Sequence, residues 1–227
     1  MIVLAVDTAG ASCAACLYDS SSERIVARWV ETIGRGHAER LFPVIDAALA
    51  EAGLTYAGLG RLAVTIGPGS FTGIRVGVAA MRGLALALDI PLTGVTVLEC
   101  MARTAVAPGP LLVALDARRD EVYAQLFSAG GAAAGPPLVL SRTEARALAE
   151  DHGAALYGSA APLLSADGPH PLPVLGDAGA VEIADLAALA AGREPEGQHP
   201  APLYLRPPDA KPQDGFALPR RPAKASP

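Results

Sequence analysis

The sequence predicts an α/β protein made of two duplicated halves, each a mixed sheet covered by helices, and three observations carry that reading. The opening segment IVLAVDTAGASCAACLY (residues 2–18) recurs without gaps as LLVALDARRDEVYAQLF (residues 111–127). Each copy is a five-residue apolar run, an Asp (Asp7, Asp116), a turn of polar or small residues, and an apolar stretch ending in an aromatic. Each copy then continues as a third strand-like run followed by alternating helical and strand-like segments, as expected of a helix-covered mixed sheet. Finally, GPGSFTGIR (residues 67–75) joins an apolar strand-like run to a long apolar helix-like run, a tight strand-to-helix junction.

In the first half, strands are expected near Ile2–Val6, Cys13–Tyr18 and Arg24–Thr32, then a helix over His37–Ala52 and a strand over Leu62–Ile66. The apolar helix Ile74–Leu88, a short strand Pro91–Val95 and a helix from Thr96 complete it. In the second half, a strand near Pro137–Leu140 precedes a helix whose Ser141 and Glu144 have the spacing of a capping box. Strand Ala154–Tyr157, a small helix, strand Leu172–Leu175 and helix Val181–Ala191 follow. The halves are therefore residues 1–106 and 107–191. Nine of the 20 prolines fall in 192–227, which rules out a continuing helix or central strand there. Within that tail PLYLRPP (Pro202–Pro208) has apolar surface enough to dock back, whereas the last residues, PRRPAKASP, are expected to stay mobile.

With 227 residues, 51% hydrophobic and 18% charged, the chain is able to bury a full core. A net charge of −5 argues against a broad nucleic-acid face, and 4% aromatics leave little for stacking bases. The start MIVLAVD has no basic leader, and Asp7 ends its apolar run too early for a membrane span, so a cytoplasmic protein with no membrane contact is expected. Three cysteines do not make a disulfide framework; Cys13 and Cys16, three apart on a strand, point to opposite faces and read as small buried hydrophobes with Cys100, not as metal ligands. No metal site and no catalytic set is recognised: His37, His152, His170 and His199 are scattered, and no spacing links Ser12 or Ser70 to a base.

The glycine junction has two readings. Gly67, Pro68, Gly69, Ser70, Thr72 and Gly73 form either a structural turn that lets the helix pack close to the sheet or an anion site at a helix N-terminus. It is not a nucleotide-binding P-loop, since no Lys follows the last glycine and the spacing departs from that motif. Either Ser70 or Thr72 serves as the helix cap.

Five segments together, MIVLAVDTA, HAERLFPVI, TIGPGSFTGIRVGVAAMRGLALAL, LDARRDEVYAQLF and PLYLRPP, resemble the TsaB family, the bacterial dimerisation subunits of the tRNA threonylcarbamoyladenosine machinery, once grouped with glycoprotease-like peptidases. The resemblance spans nearly all of the chain and implies the duplicated fold shared by actin, Hsp70 and sugar kinases. It also implies a role: pairing with a related catalytic subunit that carries an H-x-x-x-H metal site and moves a threonylcarbamoyl group onto the adenosine beside the anticodon, with a separate ATPase as third member. Where the catalytic relatives carry the two histidines, this sequence aligns Val97 and Met101. A non-catalytic subunit follows, self-paired when alone and meeting tRNA mainly through the complex. ATP is the cofactor the fold implies, but no cofactor is expected to be held here. The first turn keeps Asp7, Thr8 and Gly10, but the second, after Asp116, puts Arg118 and Arg119 where glycine would admit phosphate. The rival readings are a stand-alone peptidase or small-molecule kinase, and a direct tRNA binder in which Arg220, Arg221 and Lys224 touch RNA.

On the apolar helix, Arg75, Arg82 and Asp89 recur every seven residues as a polar stripe, with Val78, Ala79 and Leu86 close beside it. Gly73 and Gly77 lie opposite, on the face suited to the sheet. The preceding helix adds Leu41, Ile45, Ala48 and Leu49 at helical spacing. These two sets are expected either to be covered by an overlying loop or to form the docking face for the catalytic relative.

Overall fold

The computed structural model describes residues 1–195 and 200–206. The first half contains β1 (Ile2–Asp7), β2 (Ser12–Asp19), β3 (Arg24–Thr32), α1 (His37–Ala52), β4 (Leu59–Thr65), α2 (Phe71–Leu88), β5 (Leu92–Val95) and α3 (Val97–Ala105). The second contains β6 (Leu111–Asp116), β7 (Glu121–Phe127), β8 (Leu138–Ser141), α4 (Arg142–Asp151), β9 (Ala155–Tyr157), α5 (Ala161–Ala166), β10 (Val174–Gly176) and α6 (Ile183–Ala191). The sheets are ordered β3-β2-β1-β4-β5 and β10-β9-β6-β7-β8, one order written twice. In each, the first three strands pair antiparallel and the last two join in parallel. This is a duplicated α/β architecture with helices on both mixed sheets, and β1 and β6 both end at the aspartates the repeat aligned, Asp7 and Asp116.

Local signals set the helix ends. Ser70 is the N-cap of α2, its Oγ accepting from Gly73 N at 3.2 Å, while Thr72 lies exposed within the first turn. Capping boxes open α4 (Ser141, Glu144) and α3 (Thr96, Glu99). Cys13 faces the core under α1 and Cys16 the opposite core under α6, and burial pushes their thiols up to about 11 and about 12.

The packing of α2 begins with glycine. At Gly69, Gly73 and Gly77 an added Cβ would overlap the β1–β2 turn: the Ala9 carbonyl at the first, the Thr8 carbonyl at the second and the Thr8 hydroxyl at the third. Gly69 has φ +158, close to extended, so the backbone approach and not a left-handed conformation is what demands glycine there. Above these glycines, Ile74, Val78, Met81 and Ala85 complete the buried face. By length and composition alone α2 could cross a membrane, yet this face is spent on the sheet.

The boundary at 106/107 divides the sheets but not the helices. The outer face of the first sheet is covered by α6, which comes from the end of the second half and packs on β1, β2, β4 and β5. Arg61 on β4 fixes its C-terminus by donating to the carbonyls of Ala190, Ala191 and Arg193 at 2.7, 3.2 and 2.6 Å, the acceptors a helix end leaves unpaired. Val97, Leu98 and Met101 of α3 enter the core of the first half, which continues into Leu111, Val113 and Phe127 of the second. Gly69→Val is expected to lower stability by about 2 kcal/mol or more through overlap with Ala9, read as a lower urea midpoint at unchanged slope. An unaltered midpoint would show that the junction gives way freely.

Candidate functional site

Two surfaces gather the residues singled out from the sequence. The first is a cleft of about 630 Å³ between the opening turns of the two halves, lined by Asp7, Ala9 and Gly10 on one side and Leu115, Asp116 and Arg118 on the other. Ser70 and Phe71 from the start of α2, Val97 from the start of α3 and residues 179–181 complete it.

Asp7 is buried. Its Oδ1 accepts from the Thr65 hydroxyl at 2.6 Å and from Ala9 N at 3.0 Å. Burial outweighs those bonds and the nearby His37, and raises the carboxyl above its usual 3.8. The Thr8 hydroxyl donates to the Gly73 carbonyl at 2.7 Å, so it holds α2 and does not face the cleft. Gly10 presents its carbonyl to His37 Nε2 at 3.1 Å. In the second turn Arg118, Arg119 and Asp120 have φ of 61, 56 and 58, three consecutive left-handed non-glycine residues, with Arg118 N donating to the Asp116 carboxylate at 2.7 Å.

A metal–nucleotide held between two such turns needs an ionised carboxylate and open backbone donors on both sides. The residues present do not fit it: Asp7 Oδ1 is already engaged by Thr65 and Ala9 N, Thr8 is turned away, and Arg118 stands where a small residue would admit phosphate. The glycine junction likewise spends backbone groups on the protein itself. Ser70 N donates to Ala9 O at 2.7 Å, and the Gly67 carbonyl accepts from Val97 N at 2.8 Å.

The second surface is the outer side of α2, where Thr72, Ala79, Gly83 and Leu86 are exposed, Leu86 at 79% of its area, with Arg75 and Arg82 along one flank. The exposed centre of the helix is thus small and apolar, and the arginine stripe is its edge. Part of the sequence-based docking set is corrected here. Leu41, Ile45, Ala48 and Leu49 are buried in the chain's own core, because the apolar stripe of α1 packs on β2 and β3; Val78 is buried too, on the sheet side of α2. None of these five is available to a partner. What α1 exposes instead is Phe42, at 44%, with Pro43 and Asp46. Val97 and Met101, the positions where the family resemblance would place a metal-binding His pair, are buried at α3. His199 and the basic Arg220, Arg221 and Lys224 lie outside the described residues.

Residues 31–152 match the profile of the family described as TsaD, tRNA N6-adenosine threonylcarbamoyltransferase. Over 126 residues the chain is 36% identical to the tRNA threonylcarbamoyladenosine biosynthesis protein TsaB of Escherichia coli, covering 54% of this chain and 53% of that protein. The chain belongs to the TsaD family, in its TsaB group. An uncharacterized protein of Mycobacterium tuberculosis is 38% identical over 216 residues, 92% of this chain and 94% of its own length. Among solved structures, a Pseudomonas aeruginosa protein described as similar to peptidase YEAZ superposes with a TM-score of 0.74 at 30% identity, covering 90% of this chain and 99% of that one.

The Asp7 geometry generates a pH prediction. A carboxyl whose folded value lies above its unfolded one favours the fold when protonated, so its contribution is full below about pH 4 and is lost as pH rises through the raised value. Asp7→Asn keeps the site neutral, so its stability relative to the parent should increase as pH rises from about 4 toward neutrality in urea unfolding. A difference that stays constant over that range would mean that burial does not disfavour the Asp7 charge.

Proposed function

We propose that the chain is the non-catalytic partner of a TsaD-type catalytic subunit in tRNA threonylcarbamoyladenosine biosynthesis, and that it docks through the outer face of α2. The carrying observation is that face: a small, apolar helix surface centred on Ala79, Gly83 and Leu86, uncovered among the described residues. A helix with this composition is suited to close contact with a second helix, since small residues let the axes approach and Leu86 supplies apolar area. Arg75 and Arg82 on its flank, and Phe42 on α1, supply a charged and an aromatic margin.

The non-catalytic role is supported by Val97 and Met101, whose side chains are packed inward and cannot ligate a metal as imidazoles do. In this reading the catalytic relative contributes the H-x-x-x-H metal site and a separate ATPase completes the machinery. The chain holds no nucleotide of its own, meets tRNA through the complex, and pairs with a second copy over the same α2 face when alone. A peptidase or kinase reading finds no nucleophile–base pair among the sequence candidates, and the two opening turns do not fit a metal–nucleotide.

Leu86→Glu is expected to weaken binding to the catalytic relative at least tenfold, about 1.4 kcal/mol, because it places an unpaired charge in an apolar contact. Since Leu86 is exposed, cooperative unfolding of the isolated chain should be unchanged. Titration calorimetry measures the first and urea unfolding the second. In a tRNA-modification assay neither subunit alone should match the mixture. Full affinity in the folded variant would remove α2 from the interface, and transferase activity by this chain alone would overturn the non-catalytic role.

A further inference from the structure

Residues 200–206 lie in no helix or strand, yet they touch both halves of the molecule at the cleft. Leu203 N donates to Ile66 O at 2.8 Å, just before the glycine junction, and its own carbonyl lies against Gly67. The Tyr204 hydroxyl accepts from Arg75 Nε at 2.7 Å. Its ring lies 5.3 Å from that of Phe71, with the Arg75 guanidinium 3.8 Å from the Phe71 centroid. All of these partners belong to the first half. Two residues later the chain reaches the second half: Arg206 donates to the Ala117 carbonyl at 3.1 Å, pairs with Glu121 and lies 5.9 Å from the centre of the Tyr123 ring.

Phe71, Ala117 and Tyr123, which hold the two ends of this segment, all line the cleft. One short segment therefore grips a wall residue on each side. Arg206 is the anchor on the second half, with a side chain only 22% exposed that combines a charge pair, a carbonyl acceptor and a ring. We propose that residues 200–206 form a strap that ties the two halves at the cleft and sets the spacing of its walls, with Tyr204 anchoring the first half and Arg206 the second. The shared core around α3 joins the halves elsewhere, so the strap governs the cleft and not the folding of either sheet.

The test uses the whole isolated chain and is independent of any partner. Spin labels are placed at Glu51→Cys on α1 and Asp151→Cys on α4, both exposed, while Cys13, Cys16 and Cys100 are buried and do not compete for label. Pulsed dipolar spectroscopy then reads the distance between halves in the parent, in Arg206→Ala and in Glu121→Gln. Both variants should broaden the distribution and shift its mean, and Arg206→Glu combined with Glu121→Arg should narrow it again relative to Arg206→Glu alone. An unchanged distribution in both variants overturns the proposal. So does loss of cooperative unfolding in either one, because a strap between halves leaves each half's core intact.

Discussion

The backbone of Thr8 and Ala9 presses directly against the glycines of the α2 entrance, and much else in the molecule follows from that contact. At Gly69, Gly73 and Gly77 there is no space for a side chain, so α2 lies low on β1 and β4 and is held there by the Thr8 hydroxyl on the Gly73 carbonyl. A helix seated this closely buries only a narrow face. The rest of its circumference remains outside, and the residues found there, Ala79, Gly83 and Leu86, are ones water does not favour. The same seating brings the start of α2 to the cleft beside the buried Asp7, where Thr8 and Ala9 are already committed to structure.

The two halves repeat one topology but do not pack as separate units. Helix α6 returns from the second half to cover the first sheet, Arg61 caps it, and Arg193 pairs with Glu99 of α3 at 2.7 Å. With α3 contributing to a core shared by both sheets, the halves are joined through their interior. The cleft lies between their opening turns, with Arg118 of the left-handed Arg118–Asp120 turn on its second wall.

Much of this was legible because it is local. The repeat marked two halves of like element order, the Ser141–Glu144 spacing marked α4, and the three-residue interval between Cys13 and Cys16 placed them on opposite faces. What was not legible is long-range. The stripe Leu41, Ile45, Ala48 and Leu49 shows that one face of α1 is buried, but periodicity is silent on what buries it, and the cover is the chain's own sheet. Val78 stands near the arginine stripe on a helical wheel, yet the glycine contact rotates α2 so that Val78 turns inward and Ala79 outward. The return of α6 and the pairing of Arg206 with Glu121 depend on where distant segments meet, and no spacing in the sequence encodes either.

The central claim is that the outer face of α2 meets a catalytic relative, and hydrogen–deuterium exchange of the chain with and without that relative addresses it most directly. Amides across residues 72–87 and the exposed first turns of α1 should exchange more slowly in the mixture, while β3, α4 and α5 keep their rates. Slowing confined to the second half, with α2 unchanged, would contradict the account.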